Sequence, residues 1–201
     1  MHANLPSLPN MHRAYRRAIG LQVTLLIAVV SGFLISSVSF ANKAPITPQQ
    51  GDWQLVGQGM ATWLWADIYE AKLFIQQPIT DQLLNDAVPL RLQLCYKTDI
   101  SADILVKGAN QVLPDNLTPI LYDAINELHA AYQDVTKQDC YELVHLPTDN
   151  RTNDLPSTQL WFNNALVFNT KLAGFKAAYF GIWLGSEPLS DDLKTQLLKN
   201  L

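Results

Sequence analysis

Few side chains in this sequence can move a proton or hold a charge in a binding site, and they are widely spaced. Tyr69, Lys72 and Tyr96 lie in strand-like stretches, where a phenol or an amine aimed into a cleft can serve as general acid or base. For each there is a plainer reading: tyrosine on an apolar strand face is core, and lysine next to a carboxylate such as Glu70 is solvated surface. Arg91 is one of two arginines after Arg17, the other being Arg151 in a polar stretch. It opens a strong strand, and its planar fork suits a carboxylate. Tyr179 and Trp183 stand four apart and would stack on one side of a helix, as core or as pocket lining. His129 reads as a surface imidazole able to titrate near neutral pH, and His145 stands alone. Cys95 and Cys140 either form a strand-to-strand disulfide or remain buried thiols. The sequence holds no C-x-x-C, G-x-S-x-G, phosphate-binding loop or zinc-ligand spacing, so nothing in it calls for a metal or a cofactor.

Alternation and capping signals predict the elements that must position these groups. In 67–75, Tyr69, Ala71, Leu73 and Ile75 fall on one face, and Ile68, Glu70, Lys72 and Phe74 on the other. In 90–97, Leu90, Leu92, Leu94 and Tyr96 alternate with Arg91, Gln93, Cys95 and Lys97, the pattern of a half-buried strand. A third strand-like stretch, 54–64, precedes both and contains Gly57 and Gly59. Ser101 is placed to cap a helix over 102–112, and Thr118 followed by Pro119 opens another, with Leu121, Ile125, Leu128 and Tyr132 at helical spacing. Strands are expected again at 141–146, 158–162 and 165–170, the last two as a hairpin across Asn163 and Asn164. The stretch 173–184 (AGFKAAYFGIWL) reads as a buried helix closed by Gly185, and Ser190 starts a final helix. The order β-β-β, α-α, β-β-β, α-α implies an α+β fold with a largely antiparallel sheet packed against a helical layer.

Charge is distributed unevenly along the 201 residues. Charged residues are 16% and hydrophobic residues 48%, with mean hydropathy +0.02. Every carboxylate follows residue 51, whereas Arg13, Arg16 and Arg17 are the basic residues that precede Lys43. Those arginines, the apolar run 25–35 and the small-residue site Ser39-Phe40-Ala41 are in the order of a secretory signal peptide spanning 1–41. The competing reading is an uncleaved anchor through 19–40, close to the roughly 20 residues that cross a bilayer. Residues 42–52 read as a linker and 53–201 as the exported domain. Removal of 1–41 leaves 11 basic against 18 acidic residues, a net charge of −7. Such a domain repels nucleic acid and anionic lipid, so membrane contact is expected only through the N-terminal segment and localisation in the periplasm.

Two segments carry a family resemblance. Val56-Gly57-Gln58-Gly59 leads to Ile68-Tyr69-Glu70-Ala71-Lys72-Leu73-Phe74, and the Asn163-Asn164 hairpin leads to Phe175 through Ile182-Trp183-Leu184-Gly185. In this the chain resembles the chalcone isomerase-like proteins of bacteria over about residues 53 to 201. The resemblance implies the open-faced β-sandwich of chalcone isomerases and their fatty-acid-binding relatives, with a cleft between sheet and helices. It also implies a catalytic or ligand-holding arginine at the fifth position of G-x-G-x-Arg, which falls here on Ala61, while a strand threonine of the family falls on Tyr69. An alanine cannot stabilise developing negative charge, and losing such a donor typically costs about 2.7 to 4 kcal/mol.

Three functions follow as expectations. The first is an exported protein that binds a small apolar, aromatic or acyl ligand without catalysis, using Tyr69, Arg91, Tyr96, Tyr179 and Trp183. The second is an isomerase or intramolecular lyase working through Tyr69, Tyr96 or Lys72. The third is an envelope interaction module with a filled cleft.

Overall fold

The computed structural model describes residues 51–76, 82–148 and 155–201. The predicted signal segment, nearly all of the predicted linker, and Arg151 lie outside the described residues. Six strands form one antiparallel sheet in sequence order: β1 (Gln54–Trp63), β2 (Ala66–Ile75), β3 (Leu90–Tyr96), β4 (Cys140–Leu146), β5 (Ser157–Phe162) and β6 (Ala165–Thr170). Between β3 and β4 the chain leaves the sheet to make α1 (Ala102–Asn110) and α2 (Pro119–Ala130). After β6 it makes α3 (Phe175–Leu184) and α4 (Asp191–Leu197). The element order is the one the periodicities predict, an antiparallel sheet with a helical layer over one face.

Alternation decides which face the helices cover. Ala71, Leu73 and Ile75 of β2, and Leu90, Leu92, Leu94 and Tyr96 of β3, are all buried beneath α3 together with Leu143 and Leu160. α3 is buried on almost every side, including Phe175, Tyr179, Phe180 and Trp183, as its uniform apolarity predicts. α4 lies along β1, where Leu193 and Leu197 are buried. Among the described residues no helix is long and apolar enough to cross a membrane.

Local signals hold in some places and fail in others. Thr118 caps α2 through Leu121 N–H, Pro119 occupies its first turn, and Ser190 caps α4 through Leu193 N–H. Asn163 and Asn164 take φ of 46° and 69° at the β5–β6 turn, and Asn163 Oδ1 accepts from Cys140 N–H at 2.9 Å. Ser101, by contrast, makes no side-chain cap on α1. The first-turn donor Ala102 N–H goes instead to Asp134 Oδ1 at 2.8 Å, a carboxylate 32 residues away. Gly185 closes α3 as expected, its N–H donating to the Gly181 carbonyl at 2.9 Å, but with φ of −69° and not in a left-handed conformation. It is glycine because a Cβ there would lie 2.6 Å from the Gly181 carbonyl oxygen. β3 alternates buried and half-buried side chains from Leu92 to Tyr96 as expected, but Arg91, on the face away from the helices, is only 8% exposed.

Candidate functional site

Tyr69 and Tyr96 are register partners on β2 and β3, and alternation turns both toward the helices with their rings 5.6 Å apart, edge to face. With Leu94 they floor a cavity of about 140 Å³. Ile182 and Trp183 of α3 form one wall. Ile104, Leu105, Gly108 and Ala109 of α1 form the cover, and Tyr132 closes the end beyond α2. The spacing of the α1 pairs Ile104/Gly108 and Leu105/Ala109 brings one helix face over the cavity. No charged side chain lines this cavity. Larger hollows of about 450 to 500 Å³ lie beside the α1–α2 loop, against the C-terminal Leu198 and Leu201, and behind α3. The smaller cavity under α1 is nonetheless the candidate site, because it is mostly apolar and several hydroxyls converge on it.

Those hydroxyls belong to an ordered aromatic cluster. Trp183 Nε1–H donates to the Tyr69 hydroxyl oxygen at 3.0 Å. The Tyr179 hydroxyl donates to that of Tyr132 at 2.9 Å. Tyr141 on β4 packs edge to face against Tyr132 at 4.9 Å, and its hydroxyl is bonded to both the N–H and the carbonyl of Gln133. That pair of bonds fixes the turn carrying Tyr132. Burial removes water that would solvate a phenolate, so the pKa of Tyr69 is raised, and those of Tyr96, Tyr132 and Tyr179 also lie above the ordinary value. At neutral pH all four are hydrogen-bonding phenols and none is a base.

The predicted residues therefore separate into groups. Tyr69, Tyr96 and Trp183 line the cavity. Tyr179 sits one turn before Trp183, fully buried, and stands behind the cavity lining, bonded to Tyr132 and packed edge to face on Trp183 at 6.4 Å. Lys72 and Arg91 are on the opposite face of the sheet, because residues of odd and even position on a strand point to opposite sides. Lys72 pairs with Glu70 at 3.7 Å. Arg91 lies with its guanidinium 4.0 Å from the Phe74 ring centroid and its Nε 3.8 Å from Glu142 Oε2, and burial lowers its pKa while Glu142 opposes the shift. It shares no site with Tyr69 and Tyr96. His129 is not a surface imidazole: it is 9% exposed, stacked 6.2 Å from Tyr132 and tilted against Tyr179 at 5.8 Å, and desolvation lowers its pKa. Ala61 pairs with Tyr69 across β1 and β2, so Ala61, Tyr69 and Tyr96 form one row with no cation in it. Cys95 and Cys140, register partners on β3 and β4, are joined in a disulfide. Among the described residues no cluster of His, Cys, Asp and Glu could hold a metal ion.

Two buried polar residues escape sequence reasoning. Lys176, the one charged residue of the apolar stretch 173–184, is fully buried, with Nζ donating to the Asn85 carbonyl at 2.5 Å and the Val88 carbonyl at 2.6 Å. His145 bridges Thr158 Oγ1 and the Asp86 carbonyl, both at 2.9 Å, and Gly174 N–H donates to Asp86 Oδ2 at 3.2 Å. Together they pin residues 85–88 onto α3, β4 and β5. Desolvation pulls the Lys176 pKa down to about 8 from 10.5, with Asp86 opposing. Above pH 8 the unfolded chain therefore binds more protons than the folded one, and folding stability rises with pH. Between pH 8 and about 9.5, below the range where buried tyrosines act in the opposite sense, the gain is at most about 2 kcal/mol. Urea unfolding at several pH values should show the rise, and Lys176→Met should flatten it.

The comparisons with known proteins agree with this architecture. A model of the chalcone isomerase-like family matches residues 34–199. No curated protein sequence matches the chain. Among solved structures, the fold is similar to the crystal structure of an Arabidopsis thaliana fatty-acid binding protein, with 11% identity and a TM-score of 0.57, covering 75% of this chain and 89% of that one. At that identity the likeness is one of fold.

Proposed function

Because the chain belongs to the chalcone isomerase-like family and has its antiparallel sheet and helical layer, we propose that it binds a small apolar or aromatic molecule, or the tail of an acyl chain, without transforming it. One observation carries this reading: the cavity under α1 is lined by apolar side chains and protonated phenols, with no charged group among them. Such a lining attracts hydrocarbon and can hydrogen-bond a carbonyl or hydroxyl, but offers no base and no cation to stabilise an enolate or phenolate. A carboxylate inside it would be desolvated with no cation to pair with, so an acyl ligand enters tail first and keeps its head at the mouth. At about 140 Å³ the cavity falls below the roughly 300 Å³ that encloses a drug-sized molecule, so it holds a ring or a short length of chain.

The ligand acts outside the cytoplasm in this proposal. Support comes from the basic, apolar and small-residue order of 1–41 and from the Cys95–Cys140 bond, which persists in an oxidising compartment such as the periplasm.

Native mass spectrometry of the protein purified from its own cells, followed by organic extraction, tests binding directly. A bound apolar or acyl molecule is expected, and chalcones added to the protein should cyclise no faster than in buffer. An empty cavity that takes up neither fatty acids nor small phenols would sink the reading. Gly108→Leu supplies a sharper check. Gly108 lines the cavity from α1, and a Cβ there meets no atom within 4 Å. The leucine should occupy the space, weaken ligand binding by about tenfold or more, and raise stability by up to about 1 kcal/mol through better helix propensity. Ligand uptake equal to wild type would place the ligand elsewhere.

A further inference from the structure

The β1–β2 hairpin ends in Trp63, Leu64 and Trp65, which are 72%, 75% and 90% exposed. Three large apolar side chains in a row at a projecting tip are a contiguous patch and cannot be dismissed as scattered surface residues. The turn itself does not require them. Leu64 takes φ of 59°, a left-handed conformation that glycine or asparagine adopts with less strain, and the β5–β6 hairpin of the same sheet meets the same need with Asn163 and Asn164. The leucine is thus held at the tip against the local preference of the backbone.

We propose that this tip is a membrane-docking element, inserting Trp63, Leu64 and Trp65 into the interfacial zone of an uncharged, zwitterionic bilayer. Tryptophan favours that zone because its ring is apolar while its N–H finds a partner at the headgroups. Size argues against a second copy of the chain as the occupant. Three side chains, each covering at most about 250 Å², fall short of the roughly 800 Å² per partner of a stable interface. A narrow convex tip needs no complementary surface to enter lipid. The charge of the domain and the exposed Asp67 beside the tip select neutral over anionic lipid. This adds a second point of membrane contact to the N-terminal one expected from the sequence.

The tip also lies at the cavity end of the sheet. Ile68 and Tyr69 follow it on β2 and line the cavity, as do Ile104 and Leu189, which are 61% and 41% exposed and mark the mouth. Docking there would let a ligand pass between bilayer and cavity without crossing water. That consequence rests on the ligand-binding reading, whereas insertion of the tip does not.

The full chain mixed with phosphatidylcholine vesicles brominated on the acyl chains provides the test. Bromine quenches tryptophan on contact, and the chain has no tryptophan before Trp53, so the N-terminal segment cannot contribute signal. Wild type is expected to be quenched, and Trp63→Phe with Trp65→Phe to lose most of that quenching. Leu64→Asp should lose it too while its unfolding midpoint stays near wild type. No quenching of wild type, or equal quenching of the double variant, would overturn the proposal. So would a concentration-dependent dimer in sedimentation that shields Trp63 and Trp65 without lipid.

Discussion

Cys95→Ala with Cys140→Ala is expected to lower stability by about 4 kcal/mol, from the entropy returned to an unfolded chain no longer closed across 45 residues. The loop released is the whole excursion between β3 and β4. It contains α1 and α2, hence the cover of the cavity and the turn that presents Tyr132. In the folded protein the bond joins two residues already paired in register, so the β3–β4 ladder should survive its removal. Urea unfolding of the oxidised protein and the double variant should give midpoints well apart. The melting temperature should fall by roughly 8 to 16 °C, at about 2 to 4 °C per kcal/mol for a domain of this size. Matching midpoints would overturn this entropic account of the bond.

Gly57→Ala should cost about 3 kcal/mol, the upper end of overpacking penalties. A Cβ at Gly57 would lie 2.4 Å from the carbonyl oxygens of both Gln196 and Leu197, and these are backbone atoms that cannot rotate aside. Accommodation requires the last turn of α4 to lift from β1. That would expose Leu193 and Leu197, now 2% and 0% exposed, and strain the bond from Asn200 Nδ2 to the Val56 carbonyl. Gly59→Ala is the internal control. Its Cβ would meet Gln196 Oε1 and Leu193 Cδ1, which can rotate aside, and Gln196 Cβ at 2.8 Å, which cannot, so the loss should be smaller than at Gly57, about 2 kcal/mol. Equal losses at the two positions, measured by chemical denaturation, would show that α4 is free to shift. The V-G-x-G signature thereby has a physical meaning here: the first glycine admits the helix backbone to the strand.

Most of the fold was legible because its signals are local. The β2 and β3 strands follow from strict alternation, in which a single shift of register would turn the apolar face outward. The caps at Thr118 and Ser190 and the Asn163-Asn164 turn depend on groups within three residues of one another. The same locality explains the failures. Ser101 is bypassed because Asp134 comes from 32 residues away, whereas Gly185 does end α3, required there by the Gly181 carbonyl and not by its own φ. The candidate site was half legible. Tyr69, Tyr96 and Trp183 could be nominated because alternation and helical spacing set their faces. Tyr132 as an end wall, Gly108 as a cover and the burial of His129 depend on how α1 and α2 fold back, which no periodicity encodes.

By itself the sequence determined the order of the elements, the covered face of the sheet, the family resemblance and the want of a cation beside Tyr69, since each depends on residue type and short-range spacing. Only the tertiary structure decided the rest. It put Arg91 across the sheet from the tyrosines, buried Lys176 against the carbonyls of Asn85 and Val88, closed the space under α1 to a small apolar cavity, and left Trp63, Leu64 and Trp65 in water. Burial and cavity volume are set by what packs from distant parts of the chain, and one sequence read along its length carries no measure of that.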